Sequence, residues 1–391
     1  MGQETESGVM INTYQRMKAV LPYDASKEID WENLLSIFPH LNLLSSTPQD
    51  PLWHGEGDVW THTKMVCEAI VSSNDYRSAD VNRKFVLFYS ALFHDIAKGT
   101  CTQQEPGGAI TSKGHCRRGA VDTRILLWRA GVPFEVREDI CRIIAVHQTP
   151  FWIFKDCKDN PAFMAHKLSW EVPSIKGLCA VAEADVRGRI CPETKDILDD
   201  IELFRVLAGE EGCSESPRVF PDPHTRVMYF RSNGSTPAGA KYYKTPGSSV
   251  TLLCGLPASG KDTWARVHAE GRTILSYDDA RRELNLKHGS KAGASVQLVQ
   301  SRCKELLRRH EPFIWNATHL STQMRGKALD LLFAYNASVE IVYLEAPEDV
   351  IKGRNSKRDT TLKNVDIDKM LCRWEVPLPI EGHGVEYRAQ V

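Results

Sequence analysis

The sequence predicts two domains of different class: an all-α N-terminal half, then an α/β domain with a mostly parallel sheet. Three observations predict it. The chain has 391 residues, about two domains by the usual length prior. From Thr61 to about Ala208 apolar residues recur at threes and fours, the helical spacing. After Ser249 short apolar runs alternate with helical stretches, the pattern of parallel strands joined by crossover helices.

Composition narrows the class further. A hydrophobic content of 42% supports packed cores and excludes a disordered chain. The formal net charge of −1 excludes a globally basic nucleic-acid binder but leaves local basic patches open. The 11 cysteines form no Cys-x-x-Cys pair and read as free thiols of a reducing cytosol. No apolar run approaches the roughly 20 residues of a membrane span. Met1 to Glu6 is polar and acidic, unlike a signal peptide, so a cytoplasmic protein is expected.

Taken in order, residues 1 to about 25 are polar except for an amphipathic stretch, Tyr14 to Leu21, and are expected to fray. Trp31 to Phe38 is a short helix, and loops follow to Pro51. Helical runs pass through Val66, Ala69 and Ile70, then Phe85 to Ile96, Val121 to Trp128, Ile140 to Val146 and Ile175 to Ala184. Breaks fall at Gly107-Gly108, Gly131-Val132-Pro133 and Asn160-Pro161. The first domain is placed at 1–210. Residues 211–247 combine Pro, Gly and Ser with five aromatic side chains and read as a linker packed on one domain, with 225–230 as a strand. In 248–391, strands are expected at 250–254, 273–275, 312–315 and 338–344.

The run Phe85 to Phe93 ends in His94-Asp95, with Lys98 one turn later. Adjacent imidazole and carboxylate suit a two-metal centre, in which ions about 3.5–4 Å apart clamp an in-line attack at phosphorus. One His-Asp pair says little, because a lone buried His more often serves a backbone carbonyl. Here His62, His115, His147 and Asp185 are arrayed around the pair. The set lies within Gly55-Glu56-Gly57-Asp58-Val59-Trp60-Thr61-His62 and Glu183-Ala184-Asp185-Val186-Arg187-Gly188-Arg189. Over about residues 50 to 205 it resembles the HD phosphohydrolase superfamily, and most of all the HD domain of bacterial CCA-adding tRNA nucleotidyltransferases.

That resemblance implies that His62, His94, Asp95 and Asp185 hold one ion, and Asp95, His115 and His147 a second. Imidazole and carboxylate donors suit Mn, Fe, Co, Ni or Zn better than Mg or Ca. Such a centre lowers the pKa of water and presents hydroxide to phosphorus. Lys98, Arg117, Arg118, Arg187 and Arg189 are candidates for holding phosphate. For Lys98 a solvated surface position is an equal alternative. About fifty residues precede the first motif and contain no nucleotidyltransferase carboxylate pair. The resemblance therefore implies the hydrolase alone, acting on 2′,3′-cyclic and terminal phosphates.

The second motif is Gly255-Leu256-Pro257-Ala258-Ser259-Gly260-Lys261-Asp262-Thr263, after a strand and before a helix, which is the Walker A context. Backbone N–H groups of such a turn cradle phosphates, and Lys261 reaches the β and γ oxygens. Gly255, Ser259, Gly260, Lys261, Asp262 and Thr263 are thus candidate nucleotide contacts. Asp262 stands where Ser or Thr usually holds Mg²⁺; a carboxylate can do so, whereas Thr263 points about 100° away along the helix. Ser276-Tyr277-Asp278-Asp279-Ala280-Arg281 and the later Arg354-Asn355-Ser356-Lys357-Arg358 complete a resemblance to the polynucleotide 5′-kinase branch of P-loop phosphotransferases, over about 248 to 385. It implies Asp278 as general base, Arg281 as clamp on the neighbouring phosphate, and Arg354 and Arg358 as lid arginines. Read alone, Asp278 also suits a helix N-cap. Asn316, after the third strand, is no base, and its role stays open.

The pairing resembles the bacterial HD–polynucleotide kinase end-healing enzymes. It implies ATP or another NTP with Mg in the kinase, two divalent transition-metal ions in the HD site, RNA or DNA ends as substrate, and a separate RNA ligase as functional partner. The alternative is a nucleotide-salvage phosphohydrolase fused to a nucleoside or metabolite kinase.

Overall fold

The computed structural model describes residues 12–23, 27–156, 160–286, 292–357 and 362–390. The chain forms two compact units that meet at Arg218 and Val219.

The first unit is helical. Its core helices are α1 (Val59–Ser72), α2 (Val81–Phe93), α3 (His115–Arg129), α4 (Phe134–Val146) and α5 (Ile175–Arg187). Each start that carries a side-chain cap has a local cause. Asp58, Asp80 and Ser174 accept from the backbone N–H three residues on and satisfy one orphan donor each. The whole run Phe85 to Phe93 is buried, so beyond its first turn α2 is buried all round and packs on α1, α4 and α5. A two-residue hairpin, Gln103–Gln104 with Ile110–Thr111, interrupts the helices and was not expected. The expected frayed end does not hold for residues 12–23. A helix at Thr13–Ala19 buries Met17, and Tyr89 donates its hydroxyl to the Met17 carbonyl at 2.8 Å. Where α3 meets α4, Glu138 is buried between Arg124 and Arg137, accepting from both guanidinium groups at 2.8–3.0 Å.

The second unit is built on five parallel strands: β1 (Ser249–Cys254), β2 (Thr273–Ser276), β3 (Phe313–Asn316), β4 (Ser338–Glu345) and β5 (Gly384–Ala389), in the order β2-β3-β1-β4-β5. Four match expected runs. β5 is additional, a half-exposed edge strand with too little apolar content to stand out. β1, at the centre, is buried from Val250 to Cys254. Helices α6 (Lys261–Val267) and α7 (Tyr277–Glu283) follow β1 and β2.

Residues 225–230 are helical, within Pro223–Arg231, and not a strand. Asp222 accepts from Thr225 N, and Pro223 occupies the first turn, where its missing N–H costs nothing. Thr225, Arg226, Val227, Tyr229 and Phe230 of this helix are buried.

Candidate functional sites

Two ligand candidates of the first unit stand just beyond a helix end. His94 follows α2 and His147 follows α4. Each donates Nδ1–H to the carbonyl three residues back, Ala91 O at 2.7 Å and Ile144 O at 2.8 Å, satisfying a carbonyl orphaned at a helix C-terminus. His115, at the start of α3, does the same to Ser112 O at 2.7 Å. His62, on α1, has Nδ1 at 3.1 Å from Gly188 O and 3.0 Å from Glu56 Oε1. Gly188 is required there, because a Cβ would stand 2.5 Å from Val66 Cγ2 and 2.9 Å from Val66 N.

Carbonyl and carboxylate oxygens only accept, so all four Nδ1 atoms carry protons and the four Nε2 atoms are the ones turned inward. His62 Nε2 lies 3.3 Å from His94 Nε2 and 3.1 Å from Asp185 Oδ1. His94 Nε2 and His115 Nε2 lie 3.2 Å from the two Asp95 oxygens, and His147 Nε2 lies 3.8 Å from Asp185 Oδ2. Four imidazoles and two carboxylates thus converge on one buried pocket. Asp95 Oδ1, Asp95 Oδ2 and His147 Nε2 are buried without a partner in hydrogen-bond geometry. The donor set therefore fits divalent metal. The structure brings all six expected residues together, and His62, His94 and Asp185, or His94, Asp95 and His147, place their ligand atoms within 4.8 Å of one another.

Burial alone would raise both carboxyl pKa values. The charges of His94 and Lys98 hold Asp95 well below the usual carboxylate range, and Arg189 with His62 does the same for Asp185. Burial pushes the His94 imidazole down.

The phosphate candidates divide. Arg189 is buried and grips Asp185 with three contacts of 2.7–2.9 Å, so it orients a carboxylate and is not free for phosphate. Arg118 and Arg187 pair with Asp122 and Glu183 on their own helices. Lys98 is buried, not solvated: Nζ lies 2.8 Å from Asp95 Oδ2 and donates to Gln49 Oε1 at 2.7 Å. Glu56, His54, Gln49 and Cys116 also border the site and were not anticipated. Glu56 lay inside a motif word already singled out and Cys116 beside a ligand candidate, so both carried a signal.

In the second unit, Gly255 leaves β1 with φ of 141°, and a Cβ there would stand 2.1 Å from Leu344 O on β4. The loop wraps Lys261, whose Nζ donates to Leu256 O at 2.6 Å. A cavity of about 950 Å³ lies above it and includes Lys261, Asp262, Thr263, Asp278, Arg281 and Arg354 in its lining. Ser259 and Gly260 line it as well; Gly255 lies just behind, at the root of the loop. Asp278 is not the helix N-cap. Ser276 caps α7, and Asp278 pairs with Arg281 at 2.7 Å. Asn316, at the end of β3, donates to Asp262 Oδ1 at 2.7 Å, fixing the carboxylate that replaces the usual hydroxyl. Arg354 donates to Gln390 Oε1 at 3.1 Å. Arg358 lies outside the described residues.

Residues 250–377 match the family model described as AAA domain. Over 154 residues the chain is 32% identical to a multifunctional CCA protein of Pseudoalteromonas atlantica, covering 39% of this chain and 35% of that protein. It is 26% identical over 167 residues to the multifunctional CCA protein of Vibrio cholerae serotype O1, covering 41% and 38%. The chain thus spans little more than a third of the length of these relatives. A crystal structure of a gluconokinase from Sinorhizobium meliloti 1021 matches with 15% identity and TM-score 0.27, over 38% of this chain and 84% of that one, a likeness too slight to carry an argument. The C-terminal unit thus carries a P-loop motif on a parallel sheet and matches the AAA domain model, and the chain shares sequence with CCA proteins. No helix among the described residues is long and apolar enough to cross a membrane.

Proposed function

We propose that the chain heals nucleic-acid ends: its first unit removes 2′,3′-cyclic and terminal 2′ or 3′ phosphates, and its second transfers the γ-phosphate of an NTP to a 5′-hydroxyl. The observation that carries the reading is the convergence of four imidazole Nε2 atoms and the carboxylates of Asp95 and Asp185 on one buried site, in a chain whose other unit carries a P-loop.

In the hydrolase, His62, His94, Asp95 and Asp185 would hold one transition-metal ion, and Asp95, His115 and His147 the other. Bound there, the two ions supply Lewis acidity and an activated water. The chain supplies the rest. The Nδ1–H bonds fix each imidazole in the tautomer that leaves Nε2 open. Arg189 keeps Asp185 ionised and oriented. Lys98, locked by Asp95 and Gln49, keeps positive charge beside the centre where a phosphate oxygen would arrive.

In the kinase, the Gly-rich loop and Lys261 hold the donor phosphates, with Asp262 as the carboxylate for Mg²⁺. Asp278 takes the proton of the attacking 5′-hydroxyl, and Arg281, paired with it at 2.7 Å, faces the acceptor phosphate. A cavity of about 950 Å³ is at the upper end for small-ligand pockets, with room for a donor and the end of an acceptor.

The test uses the full chain with ATP, Mg²⁺, a transition metal and an RNA bearing 5′-hydroxyl and 2′,3′-cyclic phosphate ends. Both ends are then analysed, with a mononucleoside as competing acceptor. Conversion to 5′-phosphate and 3′-hydroxyl is expected, and phosphorylation of the mononucleoside alone would favour the salvage reading. A ligase that seals the healed ends would be the functional partner.

A further inference from the structure

Cys116 follows His115 in the first turn of α3. Consecutive helical residues diverge by about 100°, so neighbours rarely share a target. Here they do. With its Nδ1–H given to Ser112 O, the His115 imidazole folds back over the turn and places Nε2 3.4 Å from Cys116 Sγ. His147 completes the group: the ligand atoms of His115, Cys116 and His147 all lie within 4.8 Å of one another. His147 is fully buried, and its Nε2 has no hydrogen-bond partner. Around a tetrahedral zinc-type ion, bonds of about 2.0–2.1 Å to nitrogen and about 2.3 Å to sulfur set neighbouring N and S atoms roughly 3.6 Å apart. The observed 3.4 Å is close to that edge. The competing contact is Gln148 Oε1, 3.7 Å from Sγ, to which a protonated thiol would donate.

Resting on the metal-centre reading above, we propose that Cys116 is a thiolate ligand of the ion held by Asp95, His115 and His147. The thiol proton leaves to water as the sulfur–metal bond forms. A soft sulfur donor changes the selectivity of the site, favouring Zn²⁺, Fe²⁺ or Co²⁺ over Mn²⁺. The neighbouring ion, among His62, His94 and Asp185, keeps a nitrogen and oxygen shell, so the two positions differ in chemistry.

The test titrates the metal-stripped full chain with Co²⁺. The wild type is expected to bind two ions and to show a sulfur-to-cobalt charge-transfer band in the near ultraviolet. Cys116→Ser should still bind cobalt but lose the band. Its Zn²⁺ affinity should fall by more than the roughly 10–100-fold that loss of an outer-shell partner costs, with Mn²⁺ affinity changed less. Cys116→Ala, checked for folding by circular dichroism, should behave alike, and Cys101→Ser, outside the cluster, should keep the band. Cobalt binding without the band, or a band that survives in Cys116→Ser, overturns the thiolate while leaving the His and Asp centre standing. No cobalt binding at all overturns both.

Discussion

The two sites are built in opposite ways. In the first unit every candidate ligand is buried and held by a second protein group. His94, His115 and His147 are pinned by carbonyls of their own chain turns, and Asp185 by Arg189. In the second unit the candidate base is open to solvent: Asp278 is 44% exposed and held by a single turn of helix through Arg281. The difference teaches what each must accommodate. A metal centre needs donors fixed before the ion arrives, since a misplaced donor costs affinity. A phosphoryl-transfer cleft must admit and release two large substrates, which an exposed carboxylate suits.

The largest effect should come from the buried site. Asp95→Ala removes the carboxylate that lies within 3.2 Å of both His94 and His115. Phosphohydrolysis should fall to background and bound metal should drop, while 5′ phosphorylation continues. Loss of both activities in a folded variant would break the claim that the sites are independent.

In the open site, Asp278→Asn should slow the kinase by about 10²–10⁴, the usual worth of a general base. Because Ser276 caps α7, the helix start survives the change and nucleotide affinity should hold. Should Asp279→Asn lose activity while Asp278→Asn keeps it, the base is one residue further on. Lys261→Ala is expected to cost about 10²–10³ in turnover and to weaken nucleotide binding as well.

A third test separates stability from chemistry. Glu138→Gln removes the buried carboxylate that both Arg124 and Arg137 grip and should cost about 3–5 kcal/mol, read from denaturant unfolding of the first unit. Burial alone would raise the Glu138 pKa, but the two guanidinium groups hold it down at about 2, below the ordinary 4.5. A depressed carboxyl pKa gives stability that is complete above 4.5 and lost as pH falls toward 2. The wild type should therefore lose stability across that window, and Glu138→Gln should show a flatter profile there.

The smallest expected effect sharpens the comparison most. Glu56 touches His62 Nδ1 and accepts from Ile190 N, so it orients a ligand without being one. Glu56→Gln should lower metal affinity by roughly 10–100-fold, measured by competition with a chelator, and leave kinase turnover unchanged. An unchanged affinity would mean that Gly188 O alone fixes the imidazole.

The sequence by itself determined the two fold classes, four of the five strands, and the order of His62, His94-Asp95, His115, His147 and Asp185 along the chain. Periodicity suffices for that, because it reports which face of an element is apolar. It does not report what that face meets. His62 reaches Asp185 across 123 residues, and Asn316 reaches Asp262 across 54. Only the tertiary structure decided that Arg189 serves Asp185 instead of phosphate, that Lys98 is buried, and that Ser276 caps α7 in place of Asp278. It also decided that 225–230 is a helix: those residues read equally as strand until Asp222 and Pro223 are seen to start the turn. For Lys98, as for His62 with Asp185 and Asn316 with Asp262, the physical reason is the same. A charged or polar side chain is placed by the partner that compensates its burial, and that partner is chosen by packing, not by spacing along the chain.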